Sequence, residues 1–71
     1  MTIDLVVGVY EHYKGGRYFV LGTAMHTENK EMMVVYRDLS SNELYVRPKE
    51  MFLENVMKEG KEVPRFKYIK D

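Results

Sequence analysis

Short apolar segments separated by polar or glycine-containing connections are the feature that most constrains the fold of this chain. The segments are rich in β-branched and aromatic residues, and several of them alternate in polarity, which is typical of β-strands. No apolar segment has the length of a membrane span. The pattern predicts a mostly β fold whose strands are Ile3–Val9, Arg17–His26, Glu31–Arg37, Leu44–Arg47 and Val63–Ile69.

One segment has a different character. Pro48–Val56 begins with proline and continues with good helix formers, a composition that favours a turn or two of helix. About five strands with one short helical turn before the last strand predict a small SH3-like barrel, and barrel closure would remove exposed strand edges. With 71 residues the chain has room for one core, so residues 1–71 are predicted to form a single domain.

Charge and cysteine content exclude several classes of function. Eleven basic side chains balance eleven acidic ones, whereas a bulk electrostatic nucleic-acid binder would be strongly basic. A local basic patch is still compatible with this balance. The absence of cysteine excludes disulfides and thiolate zinc sites. The first residues lack a basic, signal-like segment, so we expect a cytoplasmic protein without a membrane partner.

The segment from Gly8 to Tyr18 concentrates unusual residue types. It contains three tyrosines, together with His12 and Lys14, around the pair Gly15–Gly16. Tyrosine combines an apolar ring with a polar tip, which suits a contact surface. Glycine allows positive φ or close approach to a ligand. The segment Tyr10–Gly16 is therefore predicted to be a loop that faces a ligand.

Four arginines lie near the ends of predicted strands, each within two residues of an aromatic side chain. Arginine binds phosphate or carboxylate through its planar fork and stacks on aromatic rings. If two or more of these arginines converge with the tyrosines, they would form a site for a nucleotide or single-stranded nucleic acid. The alternative is cross-strand pairing with glutamates, worth about 0–1 kcal/mol per pair. The arginines are Arg17, Arg37, Arg47 and Arg65.

Several separated motifs resemble the pattern of domain of unknown function 1653, a family of short, mostly bacterial proteins. The resemblance extends from Gly8 to Phe66 and implies a compact β-rich domain, without implying a mechanism. Tyr45 lies where the family more often has tryptophan, so stacking there would use a smaller ring. The matching residues include Gly8, Tyr10, His12-Tyr13-Lys14-Gly15, Tyr18, His26, Glu28, Val35-Tyr36-Arg37, Val46-Arg47-Pro48, Met51-Phe52 and Pro64-Arg65-Phe66.

Metal binding and catalysis have weaker support in the sequence. His12, His26 and Glu28 could in principle form a trio of iron ligands, but two histidines and eleven acids offer such trios in any small protein. Ser40 and Ser41 lie in a polar segment without a nearby base, and no nucleophile motif is present. We therefore predict no metal, no cofactor and no enzymatic activity.

These observations predict a non-catalytic binding module for an anionic, aromatic ligand such as a nucleotide or single-stranded nucleic acid. The alternative is a protein-interaction module or homo-oligomer that uses the same aromatic patch. Salt dependence separates the two, because phosphate contacts release counterions. The predicted ligand-binding residues are Tyr10, His12, Tyr13, Lys14, Tyr36, Arg37, Tyr45, Arg47 and Arg65.

Overall fold

The computed structural model describes residues 5–70, which form seven strands and one short helix. The helix contains five residues, and no helix in residues 5–70 is long and apolar enough to cross a membrane. The elements are β1 (Gly8–His12), β2 (Arg17–Met25), β3 (Met32–Asp38), β4 (Leu44–Pro48), α1 (Lys49–Leu53), β5 (Asn55–Lys58), β6 (Lys61–Pro64) and β7 (Phe66–Lys70).

Five of the strands form one antiparallel sheet in the order β4-β3-β2-β1-β7, and β5 and β6 form a separate hairpin. Strands β2, β3 and β4 follow one another along the chain and in space. The pairing of β1 with β7 instead joins distant parts of the sequence, with His12 opposite Phe66. This pairing places the end of β1 beside the connection from the hairpin.

The predicted mostly β fold with one short helix is confirmed. The five-stranded sheet is more open than the predicted SH3-like barrel, because β4 and β7 at its two ends do not pair in residues 5–70, and no closed barrel forms there. Two further strands, β5 and β6, lie between the helix and the last strand.

Four predictions are corrected, the first being the last predicted strand, Val63–Ile69, which is divided between β6 and β7. The first strand begins at Gly8, residues 5–7 belong to no strand, and the predicted start at Ile3 lies outside the described residues. Residues 10–12 belong to β1 rather than to a loop, because they pair with β2 or β7 on either side. The helix ends at Leu53 rather than Val56, since Val56 pairs with Val63 in the hairpin.

The core lies between one face of the sheet and the short helix. Phe52 of α1 is fully buried and stacks on Phe66 of β7, with ring centroids 4.1 Å apart and planes 5° from parallel. Pro48 is the last residue of β4 and directly precedes the helix. A helix of this length owes its stability to this packing rather than to its own propensity. The buried cluster is Tyr10, Val20, Val34, Tyr36, Phe52 and Phe66.

Candidate functional site

The connection between β1 and β2, residues 13–16, is a tight loop whose shape depends on its glycines. Gly15 and Gly16 have φ values of +101° and +88°, a region that side chains with a Cβ rarely adopt. The His12 N–H donates to the Gly16 carbonyl at 3.0 Å, and the Gly15 N–H donates to the His12 carbonyl at 2.8 Å. The glycine pair thus allows the chain to reverse directly after His12.

Two hydrogen bonds attach this loop to the C-terminal part of the chain. The Tyr13 N–H donates to the Arg65 carbonyl at 2.9 Å, and the Lys58 ammonium donates to the Tyr13 carbonyl at 3.0 Å. Lys58 is the last residue of β5, and Arg65 connects β6 to β7. The loop is therefore held against the hairpin, and both the N–H and the carbonyl of Tyr13 have hydrogen-bond partners.

A surface cleft of about 750 Å³ lies between the loop, the hairpin and the adjacent part of the sheet. Three lysines, His12 and Glu11 supply its charged and titratable groups, while Tyr13, Val63 and Pro64 supply apolar surface. A cleft of this size is within the range of small-molecule sites. Its lining residues are Glu11, His12, Tyr13, Lys14, Gly15, Lys58, Val63, Pro64 and Lys67.

The balance of charge in the cleft is positive although the whole chain is neutral. The cleft lining contains Lys14, Lys58 and Lys67 but a single acidic residue, Glu11. Lysine ammonium groups act as point charges that suit phosphate oxygens. Tyr13 adds a ring on which a planar group can stack. The lining therefore combines the two features that an anionic, aromatic ligand requires.

His12 connects the cleft with the aromatic core. Its ring lies 4.8 Å from the Tyr13 ring and 4.9 Å from the Phe66 ring, between centroids. The His12 Nδ1 accepts a hydrogen bond from the Lys14 N–H at 3.1 Å, so the neutral ring carries its proton on Nε2. Burial lowers the pKa of His12 below its ordinary value of 6.5, and the positive charges of Arg65, Arg47 and Lys14 lower it further.

The lowered pKa of His12 predicts a loss of stability at acidic pH. The unfolded chain takes up a proton on His12 at a higher pH than the folded protein does. The contribution of neutral His12 to the free energy of unfolding is therefore fully present above pH 6.5, and it is lost as the pH falls below that value. Urea unfolding at pH 7.5 and pH 5.5 measures the effect. His12→Gln should reduce the difference in the free energy of unfolding between the two pH values. If the variant and the wild type show the same difference, the assignment to His12 is wrong. His26→Gln is the matched control.

Two of the predicted ligand-binding tyrosines lie in the core. Tyr10 is 4% exposed and Tyr36 is 5% exposed, so neither presents a ring face on which a ligand could stack. The Tyr10 hydroxyl donates to the Val6 carbonyl at 2.7 Å. The Tyr36 hydroxyl accepts a hydrogen bond from the Arg47 Nε at 3.4 Å. We therefore assign both tyrosines to the core and not to the cleft.

Arg47 and Arg65 lie beside His12 but differ in their partners. The Arg65 Nη2 is 2.5 Å from the Glu54 Oε2, so this arginine forms an ion pair with a glutamate, as the alternative interpretation of the arginines proposes. The Arg47 guanidinium lies 6.0 Å from the Phe66 ring centroid, and no carboxylate within residues 5–70 forms an ion pair with it. Arg47 thus keeps an uncompensated positive charge near His12.

The remaining predicted residues lie away from the cleft. Arg37 is on the opposite face of the sheet from the core, 5.9 Å from the ring of Phe19, which is its pairing neighbour on β2. Tyr45 is on the edge strand β4, is 40% exposed, and donates its hydroxyl to the Glu43 Oε1 at 2.8 Å. The structure therefore brings together His12, Tyr13 and Lys14, with Arg47 and Arg65 adjacent.

Sequence reasoning missed Lys58 and Lys67 in the cleft. Lys58 lies between the predicted helical segment and the last predicted strand, and Lys67 lies in that strand. Lys67 reaches the cleft because it pairs with Glu11 across β1 and β7, and Lys58 because the hairpin folds against the loop. Neither contact has a local signal in the sequence.

The structure gives no support for the trio of metal ligands considered above. His12 is the last residue of β1, at the end that pairs with the start of β2, whereas His26 follows the far end of β2. The His26 Nδ1 accepts a hydrogen bond from the Glu28 N–H at 3.2 Å within a turn. No group of three acidic or histidine side chains in residues 5–70 is placed to hold a metal ion.

An open antiparallel sheet with a lysine-lined cleft at one end defines the class of this protein as a small β protein. The family model described as "Protein of unknown function (DUF1653)" matches residues 8–68, and the chain belongs to this family. It is similar to a protein of the DUF1653 family from Bordetella bronchiseptica whose crystal structure is known. That likeness has 36% sequence identity and a TM-score of 0.86, and it covers 93% of this chain and 88% of the other. No functionally curated protein matches the chain.

Proposed function

We propose that this protein is a non-catalytic binding module whose cleft takes a nucleotide or a short stretch of single-stranded nucleic acid. One observation carries the proposal: a cleft of about 750 Å³ is lined by Lys14, Lys58, Lys67 and Tyr13, and Glu11 is the one acidic residue in its lining. In this proposal the module acts in the bacterial cytoplasm, as the composition and the family resemblance imply.

The lysines and Tyr13 have separate roles in this proposal. The ammonium groups neutralise phosphate, while the tyrosine ring stacks on a base, which is sequence-tolerant because every base has a π-face. Arg47, which lacks a carboxylate partner in residues 5–70, extends the positive potential beyond His12. The glycine pair allows the loop backbone to approach the ligand closely without a Cβ in the way at Gly15.

Amide NMR spectroscopy of the ¹⁵N-labelled protein tests the proposal. Nucleoside monophosphates, short single-stranded oligonucleotides and inorganic phosphate are the probes. We expect shifts at residues 11–15 and at the amides around Lys58 and Lys67, with oligonucleotides binding more tightly than phosphate alone. Spectra that do not change at millimolar concentrations of every probe would contradict the proposal.

Salt dependence is expected to accompany oligonucleotide binding. If Lys14, Lys58 and Lys67 each neutralise one phosphate of a single strand, log K should fall with log salt with a slope of about −2. Between 50 and 200 mM salt this slope corresponds to an affinity loss of about 20-fold. Fluorescence anisotropy of a labelled oligonucleotide gives the slope. A slope near zero would favour the alternative, in which the same aromatic residues contact a protein.

A further inference from the structure

Strand β4 forms an edge of the five-stranded sheet and carries exposed apolar side chains. It pairs with β3 on one side, and no strand in residues 5–70 pairs with it on the other. Leu44 is 62% exposed and Val46 is 59% exposed. An exposed, apolar edge strand is a template for pairing with another chain, and natural proteins usually cover such edges or protect them with charge.

The hydrogen-bond pattern shows which groups of β4 point to the open side. The Asp38 N–H donates to the Glu43 carbonyl at 2.9 Å, in the same register as the β3–β4 pairs. Hydrogen-bonded and non-hydrogen-bonded pairs alternate along an antiparallel ladder. The peptide groups of Tyr45 and Arg47 are therefore directed to β3, and those of Leu44 and Val46 are directed to the open edge.

We propose that a second copy of this chain pairs with β4 in antiparallel orientation, on a two-fold axis that passes beside Val46. In that register the two Val46 residues exchange N–H and C=O groups, and each Leu44 N–H donates to the carbonyl of the partner's Pro48, whose other lone pair accepts the first hydrogen bond of α1. Proline has no N–H. The register therefore pairs the outward N–H groups of Leu44 and Val46, and Pro48 has no N–H that would need a partner.

Side chains on the inner face favour the same register. Tyr45 and Arg47 both lie on this face, because Tyr45 contacts the Tyr36 ring and Arg47 lies over the Phe66 ring. The two-fold pairing places each Tyr45 opposite the partner's Arg47. The Glu43 carboxylate, which accepts the hydrogen bond of the Tyr45 hydroxyl, belongs to the residue two positions before Tyr45 in the chain. Arg47 forms no ion pair within residues 5–70 of its own chain. In the dimer it gains an aromatic ring and an acidic neighbour from the partner.

The size of the contact sets its expected strength. A five-residue strand is about 17 Å long, so strand pairing alone buries less than a standard stable interface. The zero formal net charge of the chain opposes association only weakly. We therefore expect a reversible dimer with a dissociation constant weaker than about 1 μM. The dimer does not require the proposed ligand, because none of the residues that line the loop cleft belongs to β4.

Sedimentation equilibrium over a wide concentration range, up to the millimolar range, tests the proposal. Val46→Lys places two like charges opposite each other at the two-fold axis and should weaken dimerisation about tenfold or more. Met57→Lys is the matched control, because Met57 is 67% exposed on β5, outside the proposed interface, and should leave the dimer unchanged. Hydrogen exchange should show protection of the Val46 and Leu44 amides that disappears on dilution.

The possible outcomes decide the proposal. A concentration-dependent dimer that Val46→Lys weakens and Met57→Lys does not would support pairing through β4. A chain that stays monomeric at millimolar concentration would overturn it. A dimer of undiminished strength in Val46→Lys would also overturn it, because the contact would then lie on another surface.

Discussion

Phe66→Ala is expected to lower the free energy of unfolding by about 3–5 kcal/mol. The Phe66 ring stacks on Phe52 at 4.1 Å and makes further ring contacts with His12, Tyr18 and Tyr36. Its removal leaves a cavity between the helix and the sheet. A domain of this length has a total stability of about 4–11 kcal/mol, so the substitution removes a large part of it.

Urea unfolding followed by circular dichroism measures this effect. Phe66→Leu keeps most of the volume and should cost less than about 1.5 kcal/mol, which gives a measurable transition if the alanine variant does not fold. Phe19→Ala is the control, since Phe19 is half-buried on the opposite face of the sheet. Equal losses at positions 66 and 19 would show that Phe66 does not have the central role that its contacts indicate.

Tyr13→Ala is expected to weaken nucleotide or oligonucleotide binding while the protein stays folded. Loss of one stacking contact costs about 1–3 kcal/mol, which corresponds to a dissociation constant about 5- to 150-fold larger. The Tyr13 ring lines the cleft and lies outside the buried cluster. Its hydrogen bonds to Arg65 and Lys58 use the backbone, so alanine retains them.

Two variants control the Tyr13 experiment. Tyr13→Phe keeps the ring and should bind within about twofold of the wild type, because stacking does not need the hydroxyl. Tyr45→Ala removes a tyrosine on the far edge strand and should not affect the cleft. A sharp decrease of the melting temperature in Tyr13→Ala would instead identify Tyr13 as a structural residue, and equal binding losses in Tyr13→Ala and Tyr45→Ala would move the site away from the loop.

The strands could be predicted where local signals agree. Alternating polarity and turn residues predicted β2, β3 and β4 to within a few residues, and Pro48 correctly predicted the change from strand to helix. The hairpin of β5 and β6 was not predicted, because the helix formers before Val56 and the polar residues after it favour helix and turn locally. The pairing of Val56 with Val63 outweighs that preference.

The candidate site was predictable in the loop and not beyond it. The glycine pair with His12, Tyr13 and Lys14 has a composition that plain strands do not have, and the structure places these three side chains around one cleft. Tyr10 and Tyr13 are the same residue type three positions apart, and only the pairing of β1 on both sides shows that Tyr10 is buried. Lys67 required the same long-range register.

The pairing of β1 with β7 also has a consequence for how fast the chain folds. Tyr10 and Phe66 belong to one core but are separated by most of the sequence, and loop closure over such a distance must precede the contacts that stabilise it. Slow, cooperative refolding is therefore expected, with a high relative contact order for so small a protein. During synthesis, the core remains incomplete until Phe66 has left the ribosome, so the preceding strands are exposed to wrong partners until then.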